Sequence, residues 1–457
     1  MPITRARFPH PLVLLVGCIA LAAVLTHLLP AGEYERREDA ATGRMAVVAG
    51  TYHAVAPSPV GVWGAVRSVQ LGIVAAASVV AFVFLVGGAF SVVEETGALS
   101  RAVDWLTRRL RDRGALVIPA SSLFFAAGGI TFGMGEEIVA FIPVLLLLVR
   151  RLGFDSLTAV AMSYGAAAVG AAMSPVNPFG VGIAQTIAGV PLLSGAWFRI
   201  AFFVPGIALW IAWTMRYAAR HRTAPLGAAT AIAARPEEPE SVRPAGRTAP
   251  VLLLVALAFA TLIYGVLRLE WGIDELAALF FGMGILAGVV GGLGMRGTAE
   301  AYVRGFGNLA FAALLIGFAR AILVVLEQGR IIDSIVAGLF APLGALPVTV
   351  AALAMLAVQG LIHLPVPSTS GQAMITLPIL VPLSDLLGLP RQVTVLAYQY
   401  GAGLLENVVP TNGALLAMLA LCDVPFDKWI RFAAGITALL LALAAVAIAV
   451  AVATGLR

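Results

Sequence analysis

GITFGMGEEIVAFIPVLLLLVRRLGFDSLTAVAMSYGAAAVGAAMSPVNPFG, residues 129–180, is apolar enough to lie in a membrane but is interrupted twice. Between 129 and 137, glycines, Thr131 and the adjacent Glu136 and Glu137 stand between apolar arms. At 174–180 the segment SPVNPFG breaks what would otherwise be one spanning helix. Hydrocarbon offers backbone N–H and C=O groups no partner, so such breaks persist only inside protein or beside a water-filled cavity. The stretch therefore predicts a helical hairpin with a polar tip, residues 115–149, followed by a broken helix, residues 156–189.

A second stretch, residues 366–413, repeats the plan: VPSTSGQAMITLPILVPLSDLLGLPRQVTVLAYQYGAGLLENVVPTNG. An offset of 236 sets Gly135 on Gly371 and Tyr164-Gly165 on Tyr400-Gly401. An offset of 235 sets Leu152-Gly153 on Leu387-Gly388 and Pro175-Val176-Asn177 on Pro410-Thr411-Asn412. Further on, VPLLSGAWFR (190–199) answers VPFDKWIR (424–431). The whole series recurs in one order, which isolated chance matches do not do. Interrupted helices at matching places in two halves are the sequence mark of a transporter's binding site. The second hairpin is placed at 345–389 and the second broken helix at 391–421.

Composition sets the class. With 60% hydrophobic and 12% charged residues among 457, and a mean hydropathy of +0.97, the chain reads as a membrane protein. Its charges cluster between apolar runs of about 20 residues, the length that crosses a bilayer. The net charge of +5 thus bears on orientation, and no nucleic-acid partner is expected. Cys18 and Cys422 are the only cysteines and supply neither a disulfide framework nor a metal cluster.

Taken in order, the chain opens with a retained span at 11–30 and an outer polar loop to residue 65, then a span from about 69 to 92. SRAVDWLTRRLRDRG (100–114) suits a helix lying in the cytoplasmic interface. Arginine clusters at 101–113, 150–151 and 216–247 place those segments in the cytoplasm, so the first hairpin is expected to be re-entrant from that side. Spans are predicted at 199–219, 250–268, 273–294, 303–327 and 429–453, making nine full spans plus two hairpins. The units are 1–65 (first span and outer loop), 66–215 (repeat 1), 216–250 (a cytoplasmic linker), 251–302 (two scaffold spans) and 303–457 (repeat 2 and final span). One extra span before the second hairpin puts the repeats in opposite orientation. The expected fold is an all-α polytopic membrane protein with an inverted repeat, two re-entrant hairpins and two broken helices.

The polar residues inside this apolar frame are the candidates for function. A carboxylate near the bilayer centre costs at least ~2.5–3 kcal/mol, so Glu136 and Glu137 are read as binding a cation, a proton or a substrate ammonium rather than only capping a helix. Thr131, Gly133 and Gly135 shape the same tip. Ser368, Thr369, Ser370, Gly371 and Gln372 form the matching tip, where hydroxyls cap a helix and an exposed helix N-terminus suits an anion. Ser174, Asn177, Asn407, Thr411 and Asn412 lie at the two breaks. They repair freed backbone groups or, with Asn177 and Asn412 as possible sodium ligands, hold a coupling ion. Glu406 is a candidate proton carrier. Arg320 and Glu327 share a helix face and are read as an ion pair or charge relay within the bundle. Tyr164 and Tyr400 are read as packing residues, and His363 stands isolated in the sequence.

The motifs GITFGMGEEIVAFIP, MSPVNPFGVGIAQTIAGVPL, IGFARAILVVLEQGRIIDSI, PSTSGQAMITLPILVPLSDLLGLPRQ and YGAGLLENVVPTNG resemble the YfcC branch of the DcuC-like family of C4-dicarboxylate anaerobic carriers, in the ion transporter superfamily. The resemblance covers nearly the whole chain. It implies scaffold and transport domains, an elevator-type cycle, a homodimer and a bacterial-type inner (cytoplasmic) membrane. Sodium-coupled dicarboxylate carriers of that group place Ser-Asn-Thr at each hairpin tip, whereas this chain has Gly133-Met134-Gly135-Glu136 and Ser368-Thr369-Ser370-Gly371. The expected activity is secondary transport of a small carboxylate-bearing metabolite, a dicarboxylate or an amino acid, driven by sodium, protons or exchange. Basic amino-acid antiport of the arginine/ornithine type is the alternative, and no cofactor beyond a coupling ion is expected. An intramembrane serine hydrolase using Ser370 and His363 is the reading from another class, but it lacks a further catalytic partner. The chain is therefore read as no enzyme, and two mirrored hairpins favour alternating access over a passive channel.

Overall fold

The structure, a computed structural model, describes residues 11–39, 44–109, 114–223, 247–269 and 271–456. Helices dominate it, and among the described residues seven are long and apolar enough to cross a membrane. Six answer predicted spans, and the seventh, Gly114–Phe132, is the first arm of the first hairpin. Of the predicted linker, residues 224–246 lie outside the described residues, as do residues 110–113 of the interfacial helix.

One side of the molecule is built on two long helical runs. The first comprises α2 (Val62–Ala75) and α3 (Ala77–Glu95) and starts several residues before the predicted span. The second is α13 (Gly294–Gln328), 35 residues and so about 52 Å long. They run antiparallel, since Gly72 meets Ala321 while Gly88 meets Gly305. The contact is backbone on backbone: a Cβ at Gly305 would lie 2.6 Å from the Gly87 carbonyl oxygen, and one at Gly72 would lie 2.6 Å from Ala321 N. Lipid tails are as apolar as leucine, so packing of this closeness is what holds membrane helices together. On α13, Arg320 and Glu327 are both exposed. Seven residues separate them by about 10 Å along the axis, and the predicted pair is not formed.

The polar loop predicted to residue 65 is partly built of strands. It forms two short antiparallel ladders, β1 (Gly32–Glu33) with β4 (His53–Ala54) and β2 (Arg36–Asp39) with β3 (Arg44–Val47). Arg36 pairs with the buried Asp333 at 2.9 Å on α14 (Ile332–Phe340), and Asp333 also accepts from Tyr34 N at 2.9 Å. β3 packs along α16 (Thr369–Leu386), the returning arm of the second hairpin.

Each predicted hairpin segment folds as two helical arms. The first consists of α5 (Val117–Phe132), a 3-10 turn at Glu136–Ala140, and α6 (Ile142–Arg151). The second consists of α15 (Val348–His363) and α16. Their Leu-Gly turns lie at opposite ends of α10 (Ala196–Arg220), a helix of about 37 Å. At one end, beside the Leu152-Gly153 turn, Asp155 accepts from Tyr217 Oη at 2.7 Å and Lys428 Nζ at 2.9 Å. At the other, beside Leu387-Gly388, Arg391 bonds Asp385 at 2.7 Å and the Ala188 carbonyl at 2.9 Å. Between the ends, Val181, Ala184 and Ala188 of the first broken helix pack against Ala373, Leu377 and Val381 of the second hairpin and Tyr398 and Ala402 of α17 (Arg391–Leu405).

Candidate functional site

The first tip turns at Gly133, whose φ of +70° lies in the left-handed region where a side chain costs about 1–2 kcal/mol. A Cβ there would also come within 2.9 Å of Asn177 Nδ2. The chain then restarts as a 3-10 turn instead of an α-helix. Glu137 folds back on the tip, its Oε2 accepting from Gly135 N at 2.8 Å. Glu136 lines a cavity. The second tip restarts differently, as a true α-helix whose N-cap is Ser368, with Oγ accepting from Gly371 N at 3.3 Å.

Each break is repaired by side chains that reach the hairpin of its own half. Ser174 Oγ donates to Ile130 O at 2.7 Å and accepts from Asn177 N at 2.8 Å. Asn177 Oδ1 accepts from Phe179 N at 2.9 Å and Gly180 N at 3.2 Å, and Nδ2 donates to Gly129 O at 3.1 Å. Both lone pairs of that amide oxygen are thus engaged. In the second break Thr411 Oγ1 donates to Leu364 O at 2.6 Å, and Asn412 Oδ1 accepts from Leu415 N at 3.0 Å to cap α18 (Gly413–Leu421).

The two tips and two breaks enclose a cavity of about 290 Å³, near the lower end of the range for small-molecule sites, about 300–1,000 Å³. Gly133, Gly135, Glu136, Asn177, Ser368, Thr369, Ser370, Glu406 and Asn412 all line it. Tyr164, Met134, Phe179 and Gln399 join them. Tyr164 sits in a five-residue π-turn, Ala161–Gly165, a local widening that often marks functional sites. Its hydroxyl accepts from Asn412 Nδ2 at 2.7 Å. Asn412 Nδ2 also contacts Glu406 Oε2. Glu406 Oε1 accepts from Thr369 Oγ1 at 3.3 Å and lies 3.2 Å from His363 Nε2. Behind the wall, the fully buried Arg199 donates to Gln399 Oε1 and Gln392 Oε1, each at 3.0 Å, and to Ser194 O at 2.9 Å. Gln399 in turn donates to Ser174 O at 2.6 Å.

Residues 8–453 match the family described as DcuC, C4-dicarboxylate anaerobic carrier. The chain belongs to this family. It is 36% identical over 384 residues to "Putative basic amino acid antiporter YfcC" of Escherichia coli (strain K12), covering 80% of this chain and 76% of that one. It is 31% identical over 406 residues to an uncharacterized protein of Haemophilus influenzae, covering 87% and 79%. Among solved structures it is similar to the YdaH transporter of Alcanivorax borkumensis, at a TM-score of 0.44 and 20% identity over 98% of this chain and 99% of that one. It is also similar to MtrF of Neisseria gonorrhoeae, at a TM-score of 0.39 and 16% identity over 98% and 96%.

Against this carrier's geometry, several predicted site residues stand away from the cavity. Thr131 is exposed, and its hydroxyl bonds back to Ala127 O at 2.8 Å. Glu137, Ser174, Gly371 and Thr411 are spent on backbone repair. Gln372 lies one layer behind the cavity, against His363. The buried Asn407 contributes its backbone, whose carbonyl accepts from Trp429 Nε1 at 2.7 Å. Tyr164, read as packing, lines the cavity, and His363, isolated in the sequence, meets its neighbours across the fold. His363 sets Nδ1 2.9 Å from Gln372 Oε1 and Nε2 3.2 Å from Glu406 Oε1.

Proposed function

We propose that the chain is a secondary carrier of a small amino acid with a cationic side chain, working from a bacterial inner membrane by alternating exposure of one site between two re-entrant hairpins. The observation that carries this reading is the sign of the cavity. Two carboxylates, Glu136 and Glu406, line it, and no lysine or arginine is among its lining residues. A dianion finds no cationic side chain in that lining, whereas an ammonium or guanidinium can displace a proton from an acid there and gain a charge-assisted acceptor. The opposite tip supplies what an α-carboxylate needs. Ser368, Thr369 and Ser370 line the cavity at the start of an 18-residue helix, where first-turn N–H groups lack intrahelical partners and favour anions. The Escherichia coli relative, named "Putative basic amino acid antiporter YfcC", supports the same choice. The family's description names dicarboxylates, which fit this cavity only with a cation between the acids. Counterflow in proteoliposomes decides: L-arginine or L-lysine on both sides should exchange, and succinate should not compete. Competition by succinate with no exchange of either amino acid would overturn the reading.

A further inference from the structure

The buried layer behind the cavity carries one further step. His363 is 0% exposed, with Nδ1 2.9 Å from Gln372 Oε1 and Nε2 3.2 Å from Glu406 Oε1. The Gln372 amide cannot be turned round, because its Nε2 donates to the Gln359 backbone oxygen at 2.7 Å, a group that only accepts. Gln359 is held in turn, its Nε2 donating to Thr376 Oγ1 at 3.0 Å. An oxygen therefore faces Nδ1, and Nδ1 must carry hydrogen. Nε2 makes no aligned hydrogen bond, yet it stands 3.2 Å from Glu406 Oε1, where two bare lone pairs in a buried site would repel, so one of the two atoms carries a hydrogen. One proton fits, on the ring with an ionised carboxylate or on the carboxyl with a neutral ring. The pair is neutral either way. Only its acid reaches the cavity: the Glu406 side chain keeps 20% exposure and His363 none. The other titratable groups near the pair are Glu136, Tyr164 and Tyr398.

We propose that His363 and Glu406 share a single proton and release it when a substrate cation meets Glu406, so that the carrier exchanges one proton for one substrate cation. In the step, the N–H bond at Nε2 (or the O–H bond at Glu406) breaks, its electron pair stays behind, and the proton leaves to solvent. The substrate's N–H then donates to the carboxylate and restores neutrality. The step rests on the cationic-substrate reading above, and the test separates the two.

The first arm uses no substrate. Infrared difference spectra of the purified carrier against pH should show a carboxyl stretch that Glu406→Gln removes and whose midpoint His363→Gln moves by about one pH unit or more, as for coupled groups. An unmoved midpoint overturns the shared proton. The second arm uses proteoliposomes with an acidic lumen. L-lysine should accumulate in the wild type, and His363→Gln should lower accumulation about tenfold more than it lowers lysine–lysine exchange. Exchange without any response to the pH gradient overturns the coupling. A moved infrared midpoint with no lysine exchange leaves the proton site standing and overturns the substrate reading instead.

Discussion

The two hairpin tips occupy equivalent places and do opposite things. The first restarts as a 3-10 turn, presents the side chain of Glu136 and spends Glu137 on its own backbone. The second restarts as a capped α-helix and presents hydroxyls and a helix N-terminus. One offers negative charge, the other the positive end of a helix. The same split recurs at the exits: Arg199 is buried among neutral acceptors, whereas its counterpart Arg431 is 71% exposed and pairs with Asp427. A duplicated plan thus specifies where the backbone breaks, while the side chains at the two tips have diverged.

The largest effect tests the exits. Arg199→Ala strips the donor from the buried Gln399 Oε1 and Gln392 Oε1, each costing about 1–3 kcal/mol, while Ser194 O keeps Gln185 Nε2. Thermal unfolding of the solubilised protein should show a loss of several kcal/mol, while Arg431→Ala stays within about 1 kcal/mol. Equal losses would dissolve the distinction. Next come the acids. Glu136→Gln and Glu406→Gln should each weaken apparent affinity for L-lysine in counterflow about tenfold to a hundredfold, the worth of one charged hydrogen bond. Glu137→Gln should leave affinity alone and cost at most ~1 kcal/mol of stability; an affinity loss in Glu137→Gln would place the wrong carboxylate in the cavity.

Glycines sharpen the contrast more finely. Gly133→Ala forces a positive φ and crowds Asn177, so it should destabilise by about 1–2 kcal/mol. Gly371→Ala lies in an ordinary helical turn, where the gain in helix propensity of about 1 kcal/mol offsets a shift of Ser368 Oγ, 3.0 Å from the new Cβ. A larger loss at 371 than at 133 contradicts the two tip geometries. The smallest effect is expected from Thr131→Val, within about 0.5 kcal/mol and with unchanged uptake, because that hydroxyl serves only its own helix.

Backbone events were legible in the chain because they are local. Pro-x-Asn, Leu-Gly and the glycine-flanked glutamates each mark a break within a few residues, and nine of the sixteen predicted site residues line the cavity. Pairings across the fold were not. His363 meets Glu406 from 43 residues away and Tyr164 meets Asn412 from 248, and neither has a neighbour in sequence to announce it. One signal was available: Gln359 and His363, then Gln372 and Thr376, sit four apart on two apolar arms, which puts a polar stripe on each facing helix. The ladders of the outer loop escaped because strands of two to four mixed-charge residues carry no period.

The outer ladder has a practical consequence. β3 rests on α16 while Arg36 fastens the same loop to Asp333, so the seam joins a surface segment to an arm that alternating exposure would have to displace. A nanobody raised against that seam would therefore act as a conformational clamp, holding the carrier in the state described, and its release on adding substrate would time the transition.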